Sequence, residues 1–332
     1  MVFDQLRSVS GYWLGPPVWF GSRYPERLAI PGLPEQTAVA FRRRLHHGGE
    51  AVGLPGGIVL LDFDGLEPGD PTATQLAAAP FPDSPRTAAA SVVAPRRVEL
   101  LNAHQLCLLD AIGVRESDED VWSPDPRPVS VPSMWTGWSA ERIGTSTHEF
   151  AAYLVFLHDT TPVLRTAFTF PPEVLDRSFT TFEQILRVAV APRACHCLLH
   201  AADQYRRWQF DQALMLAWAA VEALLAQLWI GHAEAAAQTA GHPLSADRRR
   251  KLEGREFTSS VVSESLALGG IIDQALYDQI ARVRAARNRW AHGLDPVTEP
   301  PAASAFFAGQ TLVKLVTGCQ LSVFLGLTPP RL

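Results

Sequence analysis

The chain has 332 residues, 47% of them hydrophobic and 19% charged, and carries a net charge of −5. That length and apolar content support two domains with sizeable cores, and the acidic balance excludes a surface that is basic throughout. Lys251 and Lys314 are the only lysines, so the positive charge is almost all guanidinium, a planar fork of donors rather than a point charge. Cys107, Cys195, Cys197 and Cys319 form no CxxC pair, which argues against a disulfide framework and fits a reducing cytoplasm. The opening MVFDQLRSVSGYW has an acid at position 4 and no long apolar run, unlike a secretory leader.

Residues 1–168 are rich in Pro, Gly and Trp and read as a mixed α/β or β-rich module. GGIVLLDFDG (56–65) predicts a strand closing in a turn. The prolines of LAAAPFPDSPRTAAASVVAP (76–95) predict loop or linker. RRVELLNAHQLCLLDAIG (96–113) has apolar residues at helical spacing and predicts a helix ending on Gly113. ESDEDVWSPDPRPVSVPSMW (116–135) is acidic, Pro-rich and expected to be irregular.

Residues 169–328 read as helical throughout, so the whole is α+β with an all-α C-terminal bundle. PPEVLDRSFTTFEQILRVAV and CHCLLHAADQYRRW give the first helices. FDQALMLAWAAVEALLAQLWIGH (210–232) is apolar on most sides and expected to be buried. SADRRRKLEGREF (245–257) opens on a cap-like Ser-Ala-Asp and is heavily charged. SESLALGGIIDQALYDQIARVRAARNRWAHG holds two helices broken near Gly269-Gly270. AASAFFAGQTLVKLVTGCQLSVFLGL predicts one more long apolar helix before TPP ends it. Two stretches are apolar enough to weigh as membrane spans. Glu222 and Gln227 interrupt 213–230, and Gln310, Lys314 and Gln320 interrupt 305–327, so both are expected as buried bundle helices, with no membrane association and a cytoplasmic location.

RVRAARNRWAHG (282–293) concentrates positive charge that the rest of the chain lacks. On a helix, Arg284, Asn288 and His292 fall at i, i+4, i+8 and share a face. Arg287 lies about 140° around the helix from His292, within bending reach of that edge. Ile280, Val283, Ala286 and Trp290 supply an apolar face for packing. Histidine suits proton transfer near neutrality, arginine suits a phosphate, and asparagine can orient a hydroxyl or a phosphate oxygen. Such a set could cleave RNA without a metal by 2′-hydroxyl attack, leaving a 2′,3′-cyclic phosphate.

Arg287-Asn288-Arg289-Trp290-Ala291-His292 resembles the R-x4-6-H motif of HEPN domains in its Arg-Asn-x-x-x-His form. YRRWQFDQALMLAWAAVEALL (205–225) is similar to the long helix of that family, and the likeness covers roughly 170–328. The resemblance implies a four- or five-helix bundle that homodimerises, with two motifs facing each other in one composite site. It implies a metal-independent endoribonuclease of antiviral defence or toxin–antitoxin systems, without cofactor, acting on RNA and restrained by an antitoxin or a defence-system partner protein. It equally implies an alternative, an inactive scaffold or nucleotide-binding relative. Carried over, Arg287 and His292 are the catalytic pair and Asn288 assists. Arg284 and Arg289 stand outside the motif and are suggested to hold the RNA backbone. Glu222 is expected to pair with Arg287, either as a buried carboxylate needing a partner or as its support.

Other patterns carry weaker chemistry. Asp62 and Asp64 of IVLLDFDG have the spacing of the first haloacid-dehalogenase motif, but Leu66 stands where that motif has Thr, and no α/β repeat follows. His196 and His200 of CHCLLH are i, i+4 on a helix without a second ligand pair. RRRLHHGG (42–49) and RRRK (248–251) read as solvated basic faces or RNA contacts. The tryptophans of GYWLGPPVWF and PSMWTGW read as core before they read as a stacking platform.

Overall fold

A computed structural model describes residues 9–14, 18–20, 41–54, 57–64, 66, 75, 78, 85–113, 126–130, 134–136 and 168–326. The chain forms two compact units, Met1–His104 with Val129–Glu183 and Gln105–Pro128 with Gln184–Leu332. The protein is α+β: a small antiparallel sheet near the N-terminus and a helical C-terminal region.

In the first unit, β1 (Val9–Trp13), β3 (Phe41–Arg44), β4 (Glu50–Leu54), β5 (Ile58–Asp62) and the two-residue β6 (Trp135–Thr136) form one sheet in the order β3-β4-β5-β1-β6. Every pairing in it is antiparallel. β2 (Val18–Phe20) and β7 (Phe168–Phe170) pair separately and in parallel. The strand expected within 56–65 is β5, and the Asp64 N–H bonds the Asp62 Oδ1 at 3.0 Å to close it in an Asx-type turn. Asp62 thus serves the turn.

Two helices contribute to both units. α1 spans Pro85–Gly113 and α2 spans Pro172–Leu186. The expectation of a linker over 76–95 is corrected here, since 85–95 is helical. Pro85 sits at the start of the helix, where a missing N–H costs nothing, and the Ala-rich run after it favours helix strongly enough to carry it through Pro95. Tyr12, His104 and Ser178 form a buried relay: the Tyr12 hydroxyl meets His104 Nδ1 at 2.8 Å, and His104 Nε2 meets Ser178 Oγ at 3.1 Å. Ser178 donates to the Leu175 carbonyl at 2.8 Å, so its oxygen accepts from His104 Nε2–H, and Nδ1 accepts from Tyr12. The rings of Phe179 and Phe182 enclose the imidazole.

The β3–β4 hairpin is tied to α2 by charge. Arg43 Nη2 donates to Glu183 Oε2 at 2.5 Å, and Arg43 Nη1 reaches Asp176 Oδ1 at 3.0 Å and Thr180 Oγ1 at 2.8 Å. The His46 N–H and ring both meet Glu183 Oε1 at 2.6 Å. Burial would push the Glu183 carboxyl up, but the His46 and Arg43 donors outweigh it and hold the group below its ordinary value. Gly53 permits the approach, because a Cβ there would stand 2.4 Å from Leu175 Cδ1.

The second unit is a helical bundle. α3 (Ala191–Arg206), α4 (Phe210–Thr239), α5 (Ala246–Leu252), α6 (Ser259–Leu268), α7 (Gln274–Gly293) and α8 (Glu299–Thr317) follow in sequence. α4 is the hub and packs on α3, α6, α7 and α8; α8 also packs on α3 and α7. Trp218, Leu214, Val221, Leu224, Phe306 and Leu312 are among the side chains of this core. α4 is less enclosed than its composition suggests, with Ala219, Glu222, Ala226 and Gln227 exposed. By length and composition it could cross a membrane, and half of its most apolar stretch is buried inside the protein.

The last predicted helix is shorter than expected. α8 stops at Thr317 because Gly318 takes a left-handed φ of 78° and the Gly318 N–H closes on the Lys314 carbonyl at 2.8 Å. Residues 319–325 then alternate buried and exposed with period two, as an extended strap. Side chains hold it rather than a neighbouring strand. The Gln310 amide brackets Val323, accepting from its N–H at 3.2 Å and donating to its carbonyl at 3.1 Å. Asp110 Oδ1 accepts from the Ser322 N–H at 2.5 Å. Gln310→Ala is expected to destabilise the protein by about 2–3 kcal/mol, since it orphans both backbone groups of a buried residue. Denaturant midpoints would measure this, and an unchanged midpoint would show that the strap adds nothing to the bundle.

Candidate functional site at the end of α7

α7 begins at Asp273, whose Oδ1 accepts from the Leu276 N–H at 2.8 Å. Leu276, Ile280, Val283 and Ala286 are buried and form its packing seam. Trp290, expected on that seam, is only half-buried. Seven of the last twelve positions therefore do not compete for the core: Arg282, Ala285, Asn288, Arg289, Ala291, His292 and Gly293 are exposed.

Arg287 and Asn288 are brought together. Arg287 is half-buried at the border of the seam and donates from Nη1 to Asn288 Oδ1 at 3.1 Å. Its Nε, like Nη1 of half-buried Arg284, is shielded from solvent and has no hydrogen-bond acceptor among the described residues. His292 is exposed and makes no hydrogen bond among the described residues. It makes no hydrogen bond with Arg287, which stands about 140° away around the helix. The expected pairing of Glu222 with Arg287 is not formed. Glu222 faces water on α4, where its charge is hydrated and needs no partner.

Among the described residues, Arg282, Arg284, Arg287 and Arg289 form no ion pair. The other arginine clusters contrast with this. In RRRLHHGG, Arg43 is taken up by Glu183 and Asp176, and Arg42 lies 3.8 Å from Glu50. In RRRK, Arg249 pairs with Glu234 at 2.8 Å and Glu253 at 3.1 Å, and Arg250 lies 3.6 Å from Asp247. Carboxylates meet both clusters, whereas among the described residues none meets the four arginines of α7.

One element of the site escapes the sequence reading. The Tyr277 hydroxyl donates to Glu264 Oε2 of α6 at 2.5 Å. Tyr277 stands seven residues before Arg284 and therefore on the same stripe of α7. The bond to Glu264 raises the Tyr277 pKa, against a smaller opposing pull from Arg284. The i, i+7 spacing of Tyr277 and Arg284 was visible, but the carboxylate that fixes the ring comes from another helix.

α7 ends on strain. Leu294, not Gly293, adopts the left-handed conformation, with φ 56°, and the residue is 77% exposed. Leu294→Gly is expected to raise stability by about 0.5–1 kcal/mol, since a non-glycine residue pays for this conformation and no burial is lost. A fall in melting temperature would contradict this account of the helix end.

The His196 and His200 rings lie 4.6 Å apart. Burial, then His200 and Arg193, lowers His196 to about 4. Cys195 is buried, which pushes its thiol up and makes it inert. Among the described residues no three His, Cys, Asp or Glu side chains gather as a metal-ligand set. The side chains of Trp13, Trp19, Trp135 and Trp138 lie outside what the structure describes. No family model, curated protein or solved structure matches the chain.

Proposed function

We propose that the protein is a metal-independent RNA endonuclease of the HEPN type. The observation that carries this reading is the ion-pair-free arginine set of α7, with Arg287 hydrogen-bonded to Asn288 and His292 exposed within the same two turns. Arginines with no carboxylate partner keep their donors for phosphate, and a chain of net charge −5 gains little RNA affinity elsewhere. In the proposed reaction the ribose 2′-oxygen attacks phosphorus while His292 exchanges protons with the reacting hydroxyls. The P–O5′ bond breaks, leaving a 2′,3′-cyclic phosphate and a 5′-hydroxyl. Arg287 offsets the charge of the pentavalent phosphorane, and Asn288 orients Arg287. Arg284 and Arg289 hold the flanking backbone. Arg287 and His292 stand about 140° apart around one helix, and a second copy completes the site, as a homodimer. The setting is a cytoplasmic defence or toxin–antitoxin system, with an antitoxin or defence partner as restraint.

The test is cleavage of single-stranded RNA in EDTA with analysis of product ends. Cyclic phosphates formed without metal support the reading; cleavage that EDTA abolishes sinks it. One observation favours a second reading, an inactive dimerising scaffold or nucleotide-binding protein: His292 has no orienting group among the described residues. A folded dimer that leaves RNA intact selects that reading.

A further inference from the structure

Upstream of the motif, the same stripe of α7 carries groups that the cleavage chemistry does not use. Arg284 is half-buried, forms no ion pair among the described residues, and has Nη1 shielded without an acceptor. It precedes Asn288 by one helical turn, an axial step of about 6 Å, comparable to the step between successive phosphates of an extended strand. A further two turns back stands Tyr277, half-buried, with its hydroxyl anchored on Glu264 at 2.5 Å. An aromatic ring held by its hydroxyl loses little further freedom when a base stacks on it. Glu264 is an exposed carboxylate, which disfavours a phosphate backbone running along α6.

We infer that Arg284, Tyr277 and Glu264 form a one-nucleotide subsite beside the motif: Arg284 takes the phosphate adjoining the scissile one, the Tyr277 ring stacks on that nucleotide's base, and Glu264 fixes the ring. The inference rests on the RNA-cleaving reading above. It also separates the two flanking arginines. Exposed Arg289 lies off the stripe and outside the subsite.

The test uses the full chain carrying His292→Ala, to prevent cleavage, and a fluorescent single-stranded oligouridylate. Its affinity is followed against salt concentration. Arg284→Ala is expected to weaken binding and to reduce the slope of log K against log salt by about 0.7, the loss of one phosphate contact on a single strand. Arg284→Lys keeps the slope, which guards against a mere folding defect. Tyr277→Ala is expected to weaken binding roughly five- to hundredfold with the slope unchanged, while Tyr277→Phe keeps the ring and most of the affinity. An unchanged slope in Arg284→Ala, or equal losses in Tyr277→Phe and Tyr277→Ala, overturns the subsite and leaves the cleavage reading standing. A parent chain that binds no RNA overturns both.

Discussion

Replacing His292 by alanine is expected to lower metal-independent RNA cleavage by about 10²–10⁴-fold, the usual contribution of a positioned acid–base group. Arg287→Ala should cost about 10²–10³-fold, as removal of a donor aimed at developing transition-state charge does. The double variant should be little worse than the weaker single one, because the two groups act on one transition state. Both side chains border solvent, so neither change should unfold the bundle: His292 is exposed, and among the described residues Arg287 donates only to the adjacent Asn288. Rates in EDTA, with circular dichroism as the folding control, would check this. Full activity in either variant removes that residue from the chemistry. Arg289→Ala serves as comparison, with a weaker effect confined to affinity.

The first unit is expected to lose stability as pH falls below about 6.5. His104 is fully enclosed by Tyr12, Ser178, Phe179 and Phe182, and burial lowers its pKa to about 3. The unfolded chain therefore binds a proton between pH 6.5 and 3 that the folded chain refuses. The stabilisation is complete above pH 6.5 and drains away toward pH 3, at up to about 1.4 kcal/mol per unit. Between pH 7 and pH 5 the loss should be roughly 2 kcal/mol. Glu183, held low by His46 and Arg43, adds a loss of the same sign below its unfolded value. His196 and His200 shift in the same direction in the other unit, so the assignment needs His104→Asn. Denaturant midpoints of that variant should fall less steeply over pH 7–5 than those of the parent, by the share that His104 supplies. Parallel curves would mean that His104 is not the group responsible.

Helices whose apolar periodicity runs unbroken were legible in the sequence, as was the cap at Ser245, whose side chain accepts from the Arg248 N–H. β5 was legible too, because a short apolar run met a turn residue. Three features were not, each for a physical reason. Helix over 85–95 was hidden because local rules weigh proline heavily, whereas a proline in the first turn is harmless. The strap after Gly318 was hidden because an apolar stretch does not declare its period until its partners, Gln310 and Asp110, are known. Arg43 and His46 read as a solvated basic face because the carboxylate that claims them lies far along the chain, in α2. At the site, the helical positions of Arg284, Asn288 and His292 followed from spacing. The partner of Arg287 did not: it is the adjacent Asn288, reached by a bend of the guanidinium, and not Glu222.

The Asp110–Ser322 bond spans 212 residues. Helical hairpins close through near neighbours in sequence and form quickly, whereas a link of that reach waits on a large loss of chain entropy. Refolding of the second unit should therefore separate into a fast gain of helicity and a slower gain of resistance to proteolysis. A chain cut after Gly318 would stop at the first stage: helical by spectroscopy, but loose enough for a protease to enter.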